Sequence, residues 1–253
     1  MKNKIKLGIL GGGGDSLIGI VHRIASSMHD SYEIVGGVFN PDFSENLKFA
    51  EEIGLNKNRI YEDYKKMIEE ELKLDENERI QVVSILTPNF LHFPMAKKLL
   101  ENNFNVICEK PMTTTYKEAK DLEKIYKSKN LTFAVTYTYT GYPMIRQMKE
   151  MIKSGEIGDI QRVDLQYYQG WINPIIHDSK KRSETWRLQP DKSGISCCIG
   201  DIGTHAFDML EYVTGMEVEE LLSDLNYVYE DNIMDVDGTI LIRFSDKIKG
   251  VIR

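Results

Sequence analysis

Asp201 and His205 stand four residues apart in GDIGTHAFDMLEYVTG (200–215). At helical spacing such residues share a face, and a carboxylate beside an imidazole can hold or charge the ring for proton transfer near neutral pH. The plain alternative is a helix start capped by Asp201 with an incidental histidine. Lys110 lies in CEKP (108–111), directly after an apolar run. An ammonium projecting from a strand end into a cleft could polarise a substrate oxygen or steady a developing alkoxide; an isolated Glu-Lys in that position is ordinarily a solvated pair. A third stretch, LGILGGGGDSLIGIVHR (7–23), runs an apolar strand through four consecutive glycines into a helix. Amides at a helix amino end, with the helix dipole behind them, favour an anion. Gly11, Gly13, Gly14, Ser16, Leu17 and Ile18 are therefore candidates for holding a phosphate. The spacing is not the standard dinucleotide fingerprint, because five residues rather than two separate Gly13 from Gly19. A tight turn with no ligand is the competing reading, and the lysine of a nucleotide-triphosphate loop is missing.

The elements that must position these groups follow a regular rhythm to about residue 138. IKLGIL precedes LIGIVHRIASSM, YEIVGGVF precedes SENLKFAEEIG, IQVVSIL precedes NFLHFPMAKKLLENN, NVICEK precedes TYKEAKDLEKIYKSK, and LTFAVTY closes the series. Apolar runs alternating with amphipathic stretches predict a parallel sheet with crossover helices. Runs such as VVSIL are apolar throughout, as expected of strands covered on both faces. Ser44 is the expected cap of the second helix with Gly54 at its end, and Thr115 with Glu118 forms a capping box. From 139 the pattern changes. PMIRQMKEMIKSG is a helix, IQRVDLQYYQGW alternates like an antiparallel strand, and a charged loop spans about 173–193. LLSDLNYVY, GTILIRF and KGVIR read as further strands, the last two joined by a turn at Ser245-Asp246-Lys247. The expected architecture is α/β: a Rossmann-type parallel-sheet domain over 1–138, and an α+β domain over 139–253 with an open, mainly antiparallel sheet. In the helix from Asp201 to Val213, Ile202, Ala206, Met209, Leu210 and Val213 form the buried stripe, while Asp201, His205, Asp208 and Tyr212 form a polar one.

Composition narrows the partners. The chain of 253 residues is 42% hydrophobic and 28% charged with a formal net charge of −7 and no basic block. This argues for a small soluble ligand and against nucleic acid or an anionic membrane. No apolar run approaches the roughly 18 residues of a membrane span. The start, MKNKIKLGILGGGG, breaks into glycine before a signal-peptide core can form, so a cytoplasmic location is expected. Cys108, Cys197 and Cys198 show no metal-ligand spacing, which predicts free or buried thiols and no metal site.

Two further positions extend the phosphate reading. The end of the second strand usually carries an acid for the adenosine ribose; here GGVFNPDFS places Asn40 there, with Asp42 two residues on and no arginine in the turn. That leans towards NAD over NADP, with Asn40-Pro41 as ordinary turn chemistry the alternative reading. Thr87 and Asn89, in LTPNFLH (86–92), follow the third strand at the carboxyl edge where α/β ligands bind, so their polar side chains would line the cleft; either could instead, or also, cap the helix that follows.

Taken together, the glycine turn, LTPNFLH, CEKP and GDIGTHAFD (200–208) occur in an order that resembles the Gfo/Idh/MocA family of dehydrogenases, named for glucose-fructose oxidoreductase and inositol dehydrogenase. The resemblance covers nearly the whole chain. It implies a nicotinamide cofactor, a sugar or cyclitol substrate, and homo-oligomers built on the C-terminal sheet. It maps the family's catalytic lysine, aspartate and histidine onto Lys110, Asp201 and His205, assigns Glu109 to the nicotinamide ribose, and matches His92 and the pair Trp186-Arg187. Tyr137 could add a hydroxyl for a polyol, as could Tyr139, Tyr142, Tyr167 and Tyr168. SGISCC and TYTGYP depart from the family pattern, and the chain stops at KGVIR, earlier than family members usually do, as a shortened form or a fragment would. The expected activity is hydride transfer between nicotinamide and a secondary alcohol. The alternatives are a glycoside hydrolase of the same fold, working through transient oxidation, and a dinucleotide-binding sensor without turnover.

Overall fold

A computed structural model describes residues 4–227, 234–245 and 247–253. The chain divides into two compact units, residues 1–136 and 137–253. The first three residues of the glycine-interrupted start, the end of LLSDLNYVY and Asp246 of the expected turn lie outside the described residues.

In the N-terminal unit the strands are β1 (Ile5–Gly11), β2 (Tyr32–Val38), β3 (Val82–Leu86), β4 (Asn105–Cys108) and β5 (Phe133–Val135). They pair in parallel in the order β2-β1-β3-β4-β5. All five residues of β3 are buried. The helices are α1 (Leu17–Ser27), α2 (Phe43–Glu52), α3 (Tyr64–Glu71), α4 (His92–Glu101) and α5 (Tyr116–Lys129). Alternate strand residues divide between two apolar clusters: Val83 and Ile85 join Met67, Leu99, Leu100 and Leu122, while Val82 and Leu86 join Phe39, Phe49 and Ile18. The sheet is thus coated on both faces, which is why its strands carry no polar alternation. A sixteen-residue cluster on one side and a smaller one on the other leave the carboxyl ends of the strands as the place for a ligand.

Local signals fix the helix starts. Thr115 and Glu118 form the expected capping box on α5. The cap of α2 is Asp42 rather than Ser44: its carboxylate accepts from the amides of Ser44 and Glu45 and from the Ser44 hydroxyl, and an ionised acceptor outcompetes a hydroxyl at a helix amino end. Helix α3, which the sequence rhythm passed over, is capped by Asp63.

The C-terminal unit holds α6 (Pro143–Lys153), β6 (Arg162–Leu165), the short helices α7 (Asn173–Ile176), α8 (Ser179–Glu184) and α9 (Pro190–Ser193), then α10 (Thr204–Thr214), β7 (Val218–Asn226), β8 (Asp237–Phe244) and β9 (Lys249–Ile252). Its sheet order is β6-β9-β8-β7. β7, β8 and β9 are antiparallel, but β6 runs parallel to β9, contrary to the expected antiparallel strand. An edge strand with one solvated face alternates in either direction, so alternation alone could not fix its sense. In β8, Gly238, Ile240, Ile242 and Phe244 are buried and alternate with more exposed residues. Ile240, Ile242 and Phe244 pack with Ala206 and Leu210 of α10. On the opposite face Leu222 and Leu241 stand cross-strand, 69% and 50% exposed. Among the described residues no helix is long and apolar enough to cross a membrane.

Candidate active site

The glycine turn is shaped by what a side chain would strike. Gly11 and Gly12 adopt φ of 83° and 68°, which glycine alone enters freely. A Cβ on Gly13 would lie 2.7 Å from the Phe39 carbonyl oxygen, and one on Gly19 would overlap that of Gly12. Gly19 therefore takes the role of the close-packing glycine despite its longer spacing. Space opens only at Gly14, where a Cβ would meet nothing. Ser16 caps α1 by accepting from the Gly19 amide at 3.3 Å, which leaves Leu17 and Ile18 amides among those that a helix start cannot bond internally. Such a bare-backbone cradle at a helix amino end fits a pyrophosphate.

Around it lie the other N-terminal candidates. Asn40 uses its side-chain oxygen in an Asx turn to the Asp42 amide at 2.9 Å, and Asp42 is committed to capping α2. Thr87 and Asn89 follow β3, the latter buried. His92 is 1% exposed, with Nδ1 2.8 Å from the Pro111 carbonyl oxygen and Nε2 2.8 Å from that of Thr87. Its ring ties the loop after β3 to the loop after β4, so any service it renders a ligand passes through those loops. Burial pushes its imidazole below the ordinary value, against the pull of the two carbonyls. Glu109 and Lys110 close β4, joined to Pro111 by a cis peptide bond at Lys110. Burial would raise the Glu109 carboxyl, but hydrogen bonds from His22 and Thr136, with the charges of His22 and Lys110, hold it below the usual range.

The C-terminal candidates gather in a second cluster. The helix expected from Asp201 begins instead as a π-turn over Ile199–Gly203 that passes into α10 at Thr204. Such turns are rare and concentrate at functional sites. One buried carboxylate braces it: Asp235, 1% exposed, accepts from the amides of Cys197 at 3.0 Å and Ile199 at 2.8 Å. Tyr137 and Tyr139 lie against the buried His205 ring at centroid distances of 5.7 and 4.6 Å. The Tyr139 and Tyr167 hydroxyls meet at 2.7 Å, Gln169 donates to Tyr167 at 3.3 Å, and the Trp171 indole donates to Gln169 at 3.0 Å. Arg187 completes the circuit, covering Trp186 at 4.5 Å and Trp171 at 5.8 Å, with Nε 3.7 Å from the Asp201 carboxylate. Burial, then the bond to Tyr167, pushes the Tyr139 phenol up.

Tyr167, Tyr168, Gln169, Trp171, Cys198 and Asp201 line a recess within this unit. Asp201, His205, Tyr137, Trp186 and Arg187, singled out from sequence, thus share one cluster, whereas Gln169, Trp171 and Asp235 were missed. The polar-aromatic run YYQGW just past β6 was the available signal for the first two; nothing local marks Asp235. All three cysteines are free. Burial pushes the Cys197 thiol up to about 12 and Cys198 to about 11. Among the described residues no group of three or more His, Cys, Asp or Glu could hold a metal ion.

A parallel sheet with a glycine cradle, followed along the chain by an α+β unit bearing an acid-histidine cluster, is the arrangement of a dinucleotide-binding domain joined to a second domain. Comparison with known proteins agrees. Residues 5–137 match the family described as "Oxidoreductase family, NAD-binding Rossmann fold", and 145–253 match the GFO/IDH/MocA C-terminal domain. The chain belongs to the Gfo/Idh/MocA oxidoreductase family. It is 34% identical over 222 residues to the uncharacterized oxidoreductase YfiI of Bacillus subtilis (strain 168), covering 87% of this chain and 56% of that protein. It is 35% identical over 140 residues to levoglucosan dehydrogenase of Pseudarthrobacter phenanthrenivorans, 54% of this chain and 33% of that one. The crystal structure of an inositol dehydrogenase homolog complexed with NAD+ from Azotobacter vinelandii superposes with a TM-score of 0.92 at 30% identity, over 100% of this chain and 64% of that one. The chain therefore spans between a third and two thirds of the length of these relatives.

Proposed function

We propose that this protein is an NAD(P)-dependent dehydrogenase that moves hydride between nicotinamide and a secondary alcohol of a sugar or cyclitol. The carrying observation is the C-terminal cluster, in which Asp201 and His205 occur with Arg187, three tyrosines and Trp171 in one hydrogen-bonded and stacked circuit. Such a surface offers both a proton acceptor and polar-aromatic walls suited to a hydroxylated ring. The related inositol dehydrogenase homolog and levoglucosan dehydrogenase support that substrate class.

When bound, nicotinamide would supply the hydride acceptor. His205 takes the hydroxyl proton, Asp201 orients the imidazole, and Lys110 steadies the oxygen as its negative charge develops. Glu109, Thr87, Asn89, Asn40 and the turn from Gly11 to Ile18 serve the dinucleotide, with Tyr137, Trp186 and Arg187 on the substrate. A turn at Asn40 with no arginine favours NAD over NADP. The exposed Leu222–Leu241 face is where a second copy would dock.

The test is a fluorescence titration with NADH and NADPH, followed by a polyol and cyclitol screen at alkaline pH. Lys110→Ala and His205→Ala should each lower kcat by at least about 100-fold with dinucleotide binding retained. Turnover like that of the unaltered protein in either variant would overturn the assignment.

A further inference from the structure

Helix α1 carries at His22 and Arg23 two side chains that turn back into the N-terminal unit. Arg23 Nη1 donates to the Gly12 carbonyl at 2.7 Å, and its guanidinium lies 4.9 Å from the centre of the Phe49 ring, so the glycine turn is held from behind. His22 reaches the other way. Its Nδ1 stands 2.9 Å from the Ser84 hydroxyl of β3, and its Nε2 stands 2.9 Å from Oε1 of Glu109. Thr136, the residue after β5, donates to the same Oε1 at 2.5 Å. The imidazole and carboxylate side chains are 13% and 11% exposed.

A carboxylate only accepts, so His22 carries a proton at Nε2 and donates it to Glu109, while Nδ1 stands opposite the Ser84 hydroxyl. The chain Ser84–His22–Glu109–Thr136 is satisfied at each link, and it stitches β3, α1 and the ends of β4 and β5 together. In an open α/β sheet a dinucleotide lies along the carboxyl edge, its two halves on either side of the point where strand order reverses. Here that point lies between β1 and β3. The glycine turn serves the half over β1 and β2, whereas Glu109 closes β4 on the other side. Helix α1 touches both.

We propose that His22 is a positioning residue for the nicotinamide half of the dinucleotide: it fixes the Glu109 carboxylate to the same helix whose amino end faces the pyrophosphate. The two contacts are then held at a set separation before any ligand arrives, and none of the ordering cost of Glu109 falls on binding. This assignment rests on the dinucleotide reading of the N-terminal unit.

NADH, ADP-ribose and ADP are titrated onto the full chain, unaltered and as His22→Ala, His22→Gln and Ser84→Ala, with thermal melts alongside. ADP lacks the second ribose and so never reaches Glu109. His22→Ala is expected to weaken NADH and ADP-ribose roughly tenfold or more while ADP stays within about twofold. His22→Gln, whose side-chain amide can still donate to Glu109, recovers most of the loss, and Ser84→Ala shows a smaller loss with the same pattern. Equal losses for ADP and NADH would reduce His22 to a support of the fold and overturn the proposal, as would NADH affinity in His22→Ala within about twofold of the unaltered protein. Should His22→Ala not fold, Ser84→Ala decides by the same ratio. Failure of the unaltered protein to bind either NADH or ADP would overturn the dinucleotide reading and this assignment with it.

Discussion

In the glycine turn of the N-terminal unit the groups offered to a ligand are backbone, and their position is set by what cannot fit: carbonyls of Phe39 and Gly12 stand where a side chain on Gly13 or Gly19 would go. In the C-terminal unit they are side chains held by other side chains, from Tyr139 through Gln169 and Trp171 to Arg187 and Asp201. Under the proposed function, the first arrangement suits a cofactor shared across many reactions, and the second is the region where substrate preference would be set.

Three experiments would break or sharpen that contrast. Gly19→Ala forces the turn from α1, and NADH affinity in a fluorescence titration should fall between tenfold and a hundredfold, on the order of 1–3 kcal/mol; unchanged binding would show that the cradle is not fixed by this contact. Asp235→Ala orphans the buried amides of Cys197 and Ile199, which costs about 1–3 kcal/mol of stability. The urea midpoint and turnover should drop while NADH affinity holds, with Asp235→Asn recovering part through its remaining acceptor; a parallel loss of NADH affinity would contradict the separation of roles. The smallest effect concerns His92, whose imidazole is pushed below the ordinary value of 6.5. The folded chain then binds fewer protons than the unfolded one. Its contribution to stability is complete above about pH 6.5 and is lost as pH falls towards the folded value, at no more than about 1.4 kcal/mol per pH unit. Urea midpoints from pH 8 to 5 should show this slope, and His92→Gln should flatten it.

The same contrast explains what could be read from sequence. Strand β3, the capping box at Thr115 and the glycine turn are written in adjacent residues, so the parallel unit was legible in outline. Helix α3 escaped because its mixed charge and short apolar face, Met67 and Ile68, carry a weak period. Asp201 and His205 were singled out by their spacing and by the family resemblance, yet the π-turn beneath them was not foreseen, since it depends on a carboxylate more than thirty residues later in the chain. The sense of β6 and the partners of Arg187 likewise arise from contacts far apart in sequence. His92 was placed on the ligand side by motif alone, while its burial could only be seen once the loops after β3 and β4 were in place.

The three thiols have a practical consequence. Cys108 sits in the core with no exposed surface, Cys197 is nearly as enclosed, and Cys198 is only half-buried but protonated at neutral pH. Alkylating and maleimide reagents attack the thiolate, so the native protein should be almost silent towards them. A single cysteine introduced at an exposed position such as Tyr168, 72% accessible beside the recess, would then carry a dye alone and report on that loop without any native residue having to be removed.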